Sequence, residues 1–454
     1  MKILLTGASG FIGRKLALRL FQSGHDLVVL GRNVSRLQWK IGVPCQAIAC
    51  DLTKGPPPKE AFVDVDAVVH LAGESVASGR WTSARKKKIT ESRVLGTRHL
   101  VEGMNLAGIN GPKIFVAASA IGIYGNRGEE LLAEDSGIGR GFLAEVCRDW
   151  ESEIQKANSA ERRVAILRLG VVLGEGEGAL AQMIKPFGFG LGAVLGTGNQ
   201  WMSWVHIDDV IDGFCFALDN SLNGPFNLVA PEPVVNSELT RVLGEILTTK
   251  ARFHLPQVLL NVALGEMAGI LLDSARVSSA RLKTFGFSFK YSTLHEALKE
   301  ICANYPDSIF ETQLYIERPV TEVFEFFSDA KNLEKITPPW LNFFVIQQST
   351  ENLGTGSEID YKLRLHGVPL RWRSRLEDWQ KDKSFVDTQI KGPYSKWHHL
   401  HEFTSLREGT LIKDQVTYRL HFAQLGSLVA GSYVKHELQE IFSYRSSQVR
   451  VHFK

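Results

Sequence analysis

Along the first three hundred residues the apolar positions come in short consecutive runs, at 2–6, 27–30, 47–50, 67–71, 113–118, 163–169 and 226–229. Runs of this length, closed by turn-forming residues, mark strands buried on both faces of a parallel sheet. Between them the apolar residues fall at helical spacing. Phe11, Ile12, Leu16, Leu20 and Phe21 make one such stripe. Strand and helix signals in alternation predict an α/β fold, a doubly wound parallel sheet with right-handed crossovers. From about residue 310 the period shortens to two. Segments at 311–316, 356–365, 370–380, 383–390, 395–406 and 409–422 predict antiparallel strands. A helical pattern at 320–327 lies near their start, and a long one at 431–445 closes the chain, so this part reads as α+β. Asn304-Tyr305-Pro306-Asp307-Ser308 reads as a linker between domains at 1–303 and 309–454.

Composition narrows the function classes. The chain has 454 residues, enough for two or three domains at ~150 residues each. Hydrophobic residues are 44% and charged residues 22%, a globular mixture. The formal net charge is +3, which gives no reason to expect a nucleic acid or an anionic membrane as partner. Cys45, Cys50, Cys147, Cys215 and Cys302 are scattered without a CxxC pair. They read as reduced thiols of a cytoplasmic protein. The apolar run after Lys2 stops at Thr6-Gly7, too short for a signal-peptide core. The stretch 255–272 is the most apolar. Asn261 and Glu266 interrupt it, and a spanning helix needs roughly 20 mostly apolar residues, so it reads as a packed helix.

The first candidate chemistry is Thr6-Gly7-Ala8-Ser9-Gly10-Phe11-Ile12-Gly13, between the first strand and the first helix. Glycines let such a turn bend tightly and bring backbone N–H groups to a pyrophosphate, and the helix N-terminus adds a partial positive charge. Gly7, Ser9, Gly10, Phe11, Ile12 and Gly13 are therefore candidate dinucleotide contacts. The second strand ends at Leu30-Gly31-Arg32. A carboxylate at this place would bind a ribose 2′-OH. Arg32 instead suits a 2′-phosphate, helped by Arg14 or Arg36, so NADP is expected over NAD. Asp51 and Leu52, after the third strand, would meet the adenine edge. Leu71, Ala72 and Gly73, after the fourth, would form the near wall.

Together these residues resemble the extended short-chain dehydrogenase/reductase superfamily, the Rossmann-type group that contains the nucleotide-sugar epimerases. Ser119-Ala120-Ile121-Gly122-Ile123-Tyr124-Gly125 is similar to its serine-bearing segment. Arg168-Leu169-Gly170-Val171-Val172-Leu173-Gly174 is similar to the segment that flanks the nicotinamide, and Trp204-Val205-His206-Ile207-Asp208-Asp209-Val210 to the substrate-side motif. Gly79-Arg80-Trp81, Ser92-Arg93-Val94 and 141–147 resemble an atypical epimerase-like subfamily, and 256–298 its own C-terminal extension, within 247–300. The resemblance covers about residues 1–303. It implies cofactor contacts at Ala118, Leu169, Gly170 and Val171, and a small-molecule substrate. The family pattern also has Tyr-x-x-x-Lys on the next helix, where the lysine lowers the phenol's pKa for proton shuttling. Here those places hold Phe142 and Val146. Ser119, orienting the reacting oxygen, and Tyr124, carrying a titratable phenol, are the candidate catalytic substitutes.

Three features invite chemistry and receive a plainer reading. Arg85-Lys86-Lys87-Lys88 reads as a solvated helix face. Asp208-Asp209 with His206 reads as polar anchoring of a helix start. In His398-His399-Leu400-His401, residues 399 and 401 share a strand face. No neighbouring cysteine or carboxylate set completes a coordination shell in sequence, so no metal is expected.

Residues 309–454 resemble the helix-grip superfamily of lipid-transfer, pollen-allergen and polyketide-cyclase-like domains. The supporting pieces are Arg318-Pro319-Val320 with Val323-Phe324, 353–357, Gly392-Pro393-Tyr394 with Trp397, and Gly409-Thr410 with Asp414. The resemblance implies a cavity for an apolar ligand, with Trp372, Trp379, Trp397, Tyr418 and Phe422 as candidate lining. Three functions follow: an NADP-dependent oxidoreductase or epimerase-like enzyme, a non-catalytic NADP-binding sensor favoured by Phe142 and Val146, and a hydrophobic-ligand carrier.

Overall fold

The structure, a computed structural model, describes all residues except His366 and Phe422, together with the side chains of 423–430 and Ser432. The chain divides into two compact units, Met1–Leu37 with Cys45–Ala303, and Gln38–Pro44 with Asn304–Lys454.

In the first unit seven parallel strands form one sheet: β1 (Lys2–Thr6), β2 (Asp26–Gly31), β3 (Gln46–Ala49), β4 (Ala67–His70), β5 (Ile114–Ala120), β6 (Arg163–Leu169) and β7 (Gly224–Leu228). Their order is β7-β6-β5-β4-β1-β2-β3. β4 is buried along its whole length, which explains its unbroken apolar run. Helix α1 (Phe11–Gln22) buries Leu16, Ala17, Leu20 and Phe21, one stripe at helical spacing. It packs with α4 (Ile207–Asp219), while α2 (Ser83–Leu106) packs with α3 (Phe142–Gln155), one pair on each face of the sheet. His206 caps α4 by accepting from Asp208 N, and Asp209 accepts from Lys290 N and Tyr291 N. These three polar residues do anchor a helix start.

The stretch 255–272 is not one packed helix. A helix at Gln257–Leu264 buries Leu260 and exposes Val258, Leu259 and Val262. It ends at Gly265, whose φ of +63° turns the chain, and two short turns follow. No described helix is long and apolar enough to cross a membrane.

The second unit is an antiparallel sheet of seven strands among the described residues: β8 (Ser308–Ile316), β9 (Phe344–Gln348), β10 (Glu358–Leu365), β11 (Val368–Gln380), β12 (Ser384–Lys391), β13 (Lys396–Leu406) and β14 (Gly409–Arg419). The order is β8-β14-β13-β12-β11-β10-β9. Helices α5 (Val320–Phe327), α6 (Ala330–Ile336) and α7 (Ala423–His452) complete it, and α7 packs against β8 and α6. This is the helix-grip arrangement. β9 and α6 are additions to the elements the pattern predicts, because their apolar positions are too few to show a period. The last strand stops at Arg419, short of the expected 422, and the last helix extends beyond 431–445 at both ends.

Candidate functional site

β1 and β4 are neighbours, and the helices that follow them lie on opposite faces of the sheet. This switch point opens a crevice at the carboxyl edge, where open α/β sheets take ligands. The turn after β1 is built for close approach. Gly7 has φ +72°, and a Cβ there would stand 2.7 Å from the Leu71 carbonyl carbon. At Gly13 a Cβ would stand 2.2 Å from the Gly7 carbonyl oxygen. Gly10 precedes α1 with no side-chain cap, and the first helical turn has no acidic residue. The N–H groups around Phe11, Ile12 and Gly13 thus meet no competing carboxylate, a fit for a pyrophosphate.

A buried chain of side chains ties the two turns together. Thr6 Oγ1 accepts from Leu71 N and Ala72 N, each at 3.2 Å, and stands 2.7 Å from His70 Nδ1. With two donors already on that oxygen, its own hydroxyl donates to Nδ1. His70 Nε2 therefore carries the proton and donates to Thr97 Oγ1 at 2.9 Å. Burial, aided by the Arg93 charge, pushes the His70 imidazole down to about 3 and keeps it neutral. Arg93 lies under Gly73, where a Cβ would meet its guanidinium at 3.2 Å, and donates to the Glu74 carbonyl.

Among the residues expected on the adenine side, Arg32 is exposed beyond β2 and lies in the field of Asp51, whose carboxyl is held low chiefly by its bond from Thr53. Leu52 O accepts from His99. Arg36 is exposed, whereas Arg14 pairs with Glu177 at 3.1 Å. Of the two helpers considered for Arg32, only Arg36 remains uncommitted to that pair. Among the residues expected on the nicotinamide side, Ala118 sits near the carboxyl end of β5 and Leu169 ends β6. Gly170 lies where a Cβ would be 2.7 Å from the Ser203 carbonyl, and Val171 N donates to that carbonyl.

The two candidate catalytic hydroxyls belong to one buried network. Ser119 is 2% exposed and donates to Glu151 Oε1 at 2.6 Å. Arg168 holds Glu151 bidentately at 2.9 and 2.8 Å. It also donates to Tyr124 OH at 2.8 Å, and that phenol donates to Asn227 Oδ1 at 2.7 Å. Tyr124 is fully buried, and burial raises its pKa against the pull of Arg168. Both hydroxyl protons are thus committed to protein acceptors. At the two places of the missing pair, Val146 is buried and the Phe142 ring meets Trp81 edge-on at 5.1 Å. Lys86 Nζ stands 5.2 Å from the centre of that ring and pairs with Glu266. Its neighbour Arg85 bonds Glu74 and the Ser75 carbonyl, and Lys87 pairs with Glu91, so the basic run is a paired helix face. Burial pushes the Cys147 thiol up to about 12, so it is no nucleophile at neutral pH.

The second unit holds a cavity beside its helices α5 and α6. Phe326, Phe327, Leu333, Ile336, Leu376 and Trp379 give it apolar walls. Of the aromatic residues proposed to line it, Trp379 does. Trp372, Trp397 and Tyr418 instead gather around Tyr394 in a ring cluster. Phe422 lies outside the described residues. His399 and His401 also face the cavity, and a carboxylate absent from their sequence neighbourhood joins them: Asp414 Oδ1 stands 2.9 Å from His399 Nε2 and 2.8 Å from His401 Nδ1.

Residues 3–228 match the NAD dependent epimerase/dehydratase family. The Epimerase family protein SDR39U1 homolog, chloroplastic, of Arabidopsis thaliana is 38% identical over 303 residues, 66% of this chain and 86% of that protein. The chain belongs to the epimerase family. Epimerase family protein YfhF of Bacillus subtilis is 34% identical over 306 residues, 67% of this chain and 99% of that protein. The human epimerase family protein SDR39U1 (isoform2), crystallised with NADPH, superposes with a TM-score of 0.60 at 30% identity, covering 67% of this chain and all of that one. Residues 255–301 match a domain of unknown function, DUF1731, and residues 316–437 match the family described as polyketide cyclase/dehydrase and lipid transport. This chain thus carries an epimerase-family Rossmann unit followed by a helix-grip unit.

Proposed function

We propose that residues 1–303 are an NADP(H)-dependent oxidoreductase of epimerase type acting on a small carbonyl or hydroxyl compound, and that residues 309–454 bind an apolar small molecule. The glycine turn carries the first part. No Cβ fits at Gly7 or Gly13, and the uncapped start of α1 offers its N–H groups to an anion. When bound, the dinucleotide supplies or takes up a hydride. Arg32, helped by the exposed Arg36, would hold the 2′-phosphate, and the NADPH bound to the human relative supports that preference. Hydride delivery to a carbonyl carbon leaves an oxygen that needs a proton. Ser119 and Tyr124 hold theirs against Glu151 and Asn227, so both act as positioning residues.

One observation favours a second reading, a nucleotide-binding sensor without turnover: both hydroxyl protons are committed and the usual pair is replaced by Phe142 and Val146. Mass spectrometry of the purified protein, native and then denatured, identifies what co-purifies. NADP(H) together with consumption of NADPH on a carbonyl panel is the expected result. Binding without turnover across the panel makes the sensor reading the better one. Arg32→Ala is expected to weaken NADPH by about 10-fold or more, a lost charge-assisted contact, and to leave NADH unchanged. Tighter NADH than NADPH binding by the wild type would overturn the assignment of Arg32.

A further inference from the structure

His399 and His401 lie two apart on β13, so both imidazoles leave the same face of the sheet. Asp414 on β14 is the register partner of His401. The three residues are 4–6% exposed, and their ligating atoms all lie within 4.8 Å of one another. Both histidines line the cavity of the second unit, together with Asp387 and Arg445. Three buried polar atoms there lack a hydrogen-bond partner: His401 Nδ1, Asp387 Oδ1 and Arg445 Nε. His401 Nδ1 is close to Asp414 but off the line of a hydrogen bond. Buried polar atoms are almost always paired, so three unpaired atoms around one cavity point to a ligand that pairs them.

We propose that His399, His401 and Asp414 bind a divalent first-row transition-metal ion, with open coordination positions facing the cavity. Two imidazoles and one carboxylate, without a thiolate, suit zinc or ferrous iron over soft cuprous ions. Three protein ligands leave a position for water or substrate, the pattern of a catalytic site. The present spacing of 2.8–2.9 Å is shorter than the edge of about 3.3 Å that a tetrahedral shell at 2.0–2.1 Å requires. Small side-chain rotations supply that difference. Arg445 and Asp387 line the same cavity, one offering a donor and the other an acceptor. With the ion bound, the two carboxylates and the guanidinium leave one net positive charge at the polar end of the cavity. The ligand this end fits is an apolar or aromatic body with an anionic or enolisable oxygen at one end. This site stands on the second unit alone and does not rest on the nucleotide reading.

The test uses the untagged full-length protein, stripped with chelator and dialysed. Cobalt(II) is titrated in and followed by visible absorption, and zinc by calorimetry. The expected result is one saturable equivalent. His399→Ala and Asp414→Asn, the latter of nearly the same shape, each weaken it by at least about 10-fold. His398→Ala, on the opposite strand face, leaves it unchanged. A folded wild type that takes up no saturable equivalent overturns the proposal, whatever the variants do. Equal uptake by wild type and a folded His399→Ala or Asp414→Asn protein also overturns it.

Discussion

The two units each bury a network of charged and polar side chains, and the networks differ in one respect. In the first, Ser119, Glu151, Arg168, Tyr124 and Asn227 bond one another in an unbroken series. In the second, His401, Asp387 and Arg445 each keep a polar atom without a partner, and all three face a cavity. A closed network rigidifies the sheet edge and commits its hydroxyl protons to protein acceptors. An open network is incomplete until something enters. The motif that most invites a catalytic reading, Ser119 in β5 with Tyr124 after it, is the closed one. The histidines set aside in the sequence sit in the open one.

The strongest way to break this comparison is to cut both networks. Arg168→Met leaves Glu151 buried without its counter-charge, and the first unit is expected to lose about 3–5 kcal/mol, read by hydrogen exchange of β5 and β6 amides in urea. A loss under 1 kcal/mol (roughly the value of an ordinary hydrogen bond) would mean the network is not the brace described. Acid gives the next largest effect. His70 has its folded pKa pushed down to about 3, far below the ordinary ~6.5 of an unfolded histidine. Above pH ~6.5 both states are neutral and its full contribution is present. As pH falls toward 3 the unfolded chain takes the proton first, so stability drops by about 1.4 kcal/mol per pH unit, or ~2 kcal/mol at pH 5. The acid limb of a stability–pH curve should therefore be shallower in His70→Asn, which binds no proton there. An unchanged limb would show that other groups set it.

Tyr124→Phe strips one hydroxyl from the closed network. A cost of about 1–3 kcal/mol is expected, with NADPH binding and turnover retained. If turnover vanishes while stability holds, Tyr124 is a catalytic residue after all. The smallest effect is expected at Arg445→Lys, under about 1 kcal/mol, because the positive charge beside Asp387 and Asp414 is kept and no hydrogen bond is broken at Nε. A loss matching that of Arg168→Met would show that both networks are structural braces.

Much of the fold was legible from periodicity. Strands buried on both faces must be apolar without interruption, as at β4, and strands covered on one face must alternate, as at β11. The glycine turn was legible because close backbone contact excludes every side chain but hydrogen. β9 and α6 were not, since short elements at an edge carry too few buried positions to set a period. Val258 and Val262 misled for the opposite reason: apolar residues are common on surfaces, so an apolar run does not certify burial.

From the sequence alone came the α/β then α+β order, the glycine turn after β1, the arginine rather than a carboxylate at 32, and phenylalanine and valine in place of the family's tyrosine and lysine at 142 and 146. These are local facts, set by neighbours within a few residues. Only the tertiary structure joined Thr6 to His70 and Thr97, closed the Tyr124 phenol against Arg168 and Asn227, and brought Asp414 to His399 and His401. Partners far apart in the chain meet through sheet order and register, and no local pattern records which strand will lie beside which.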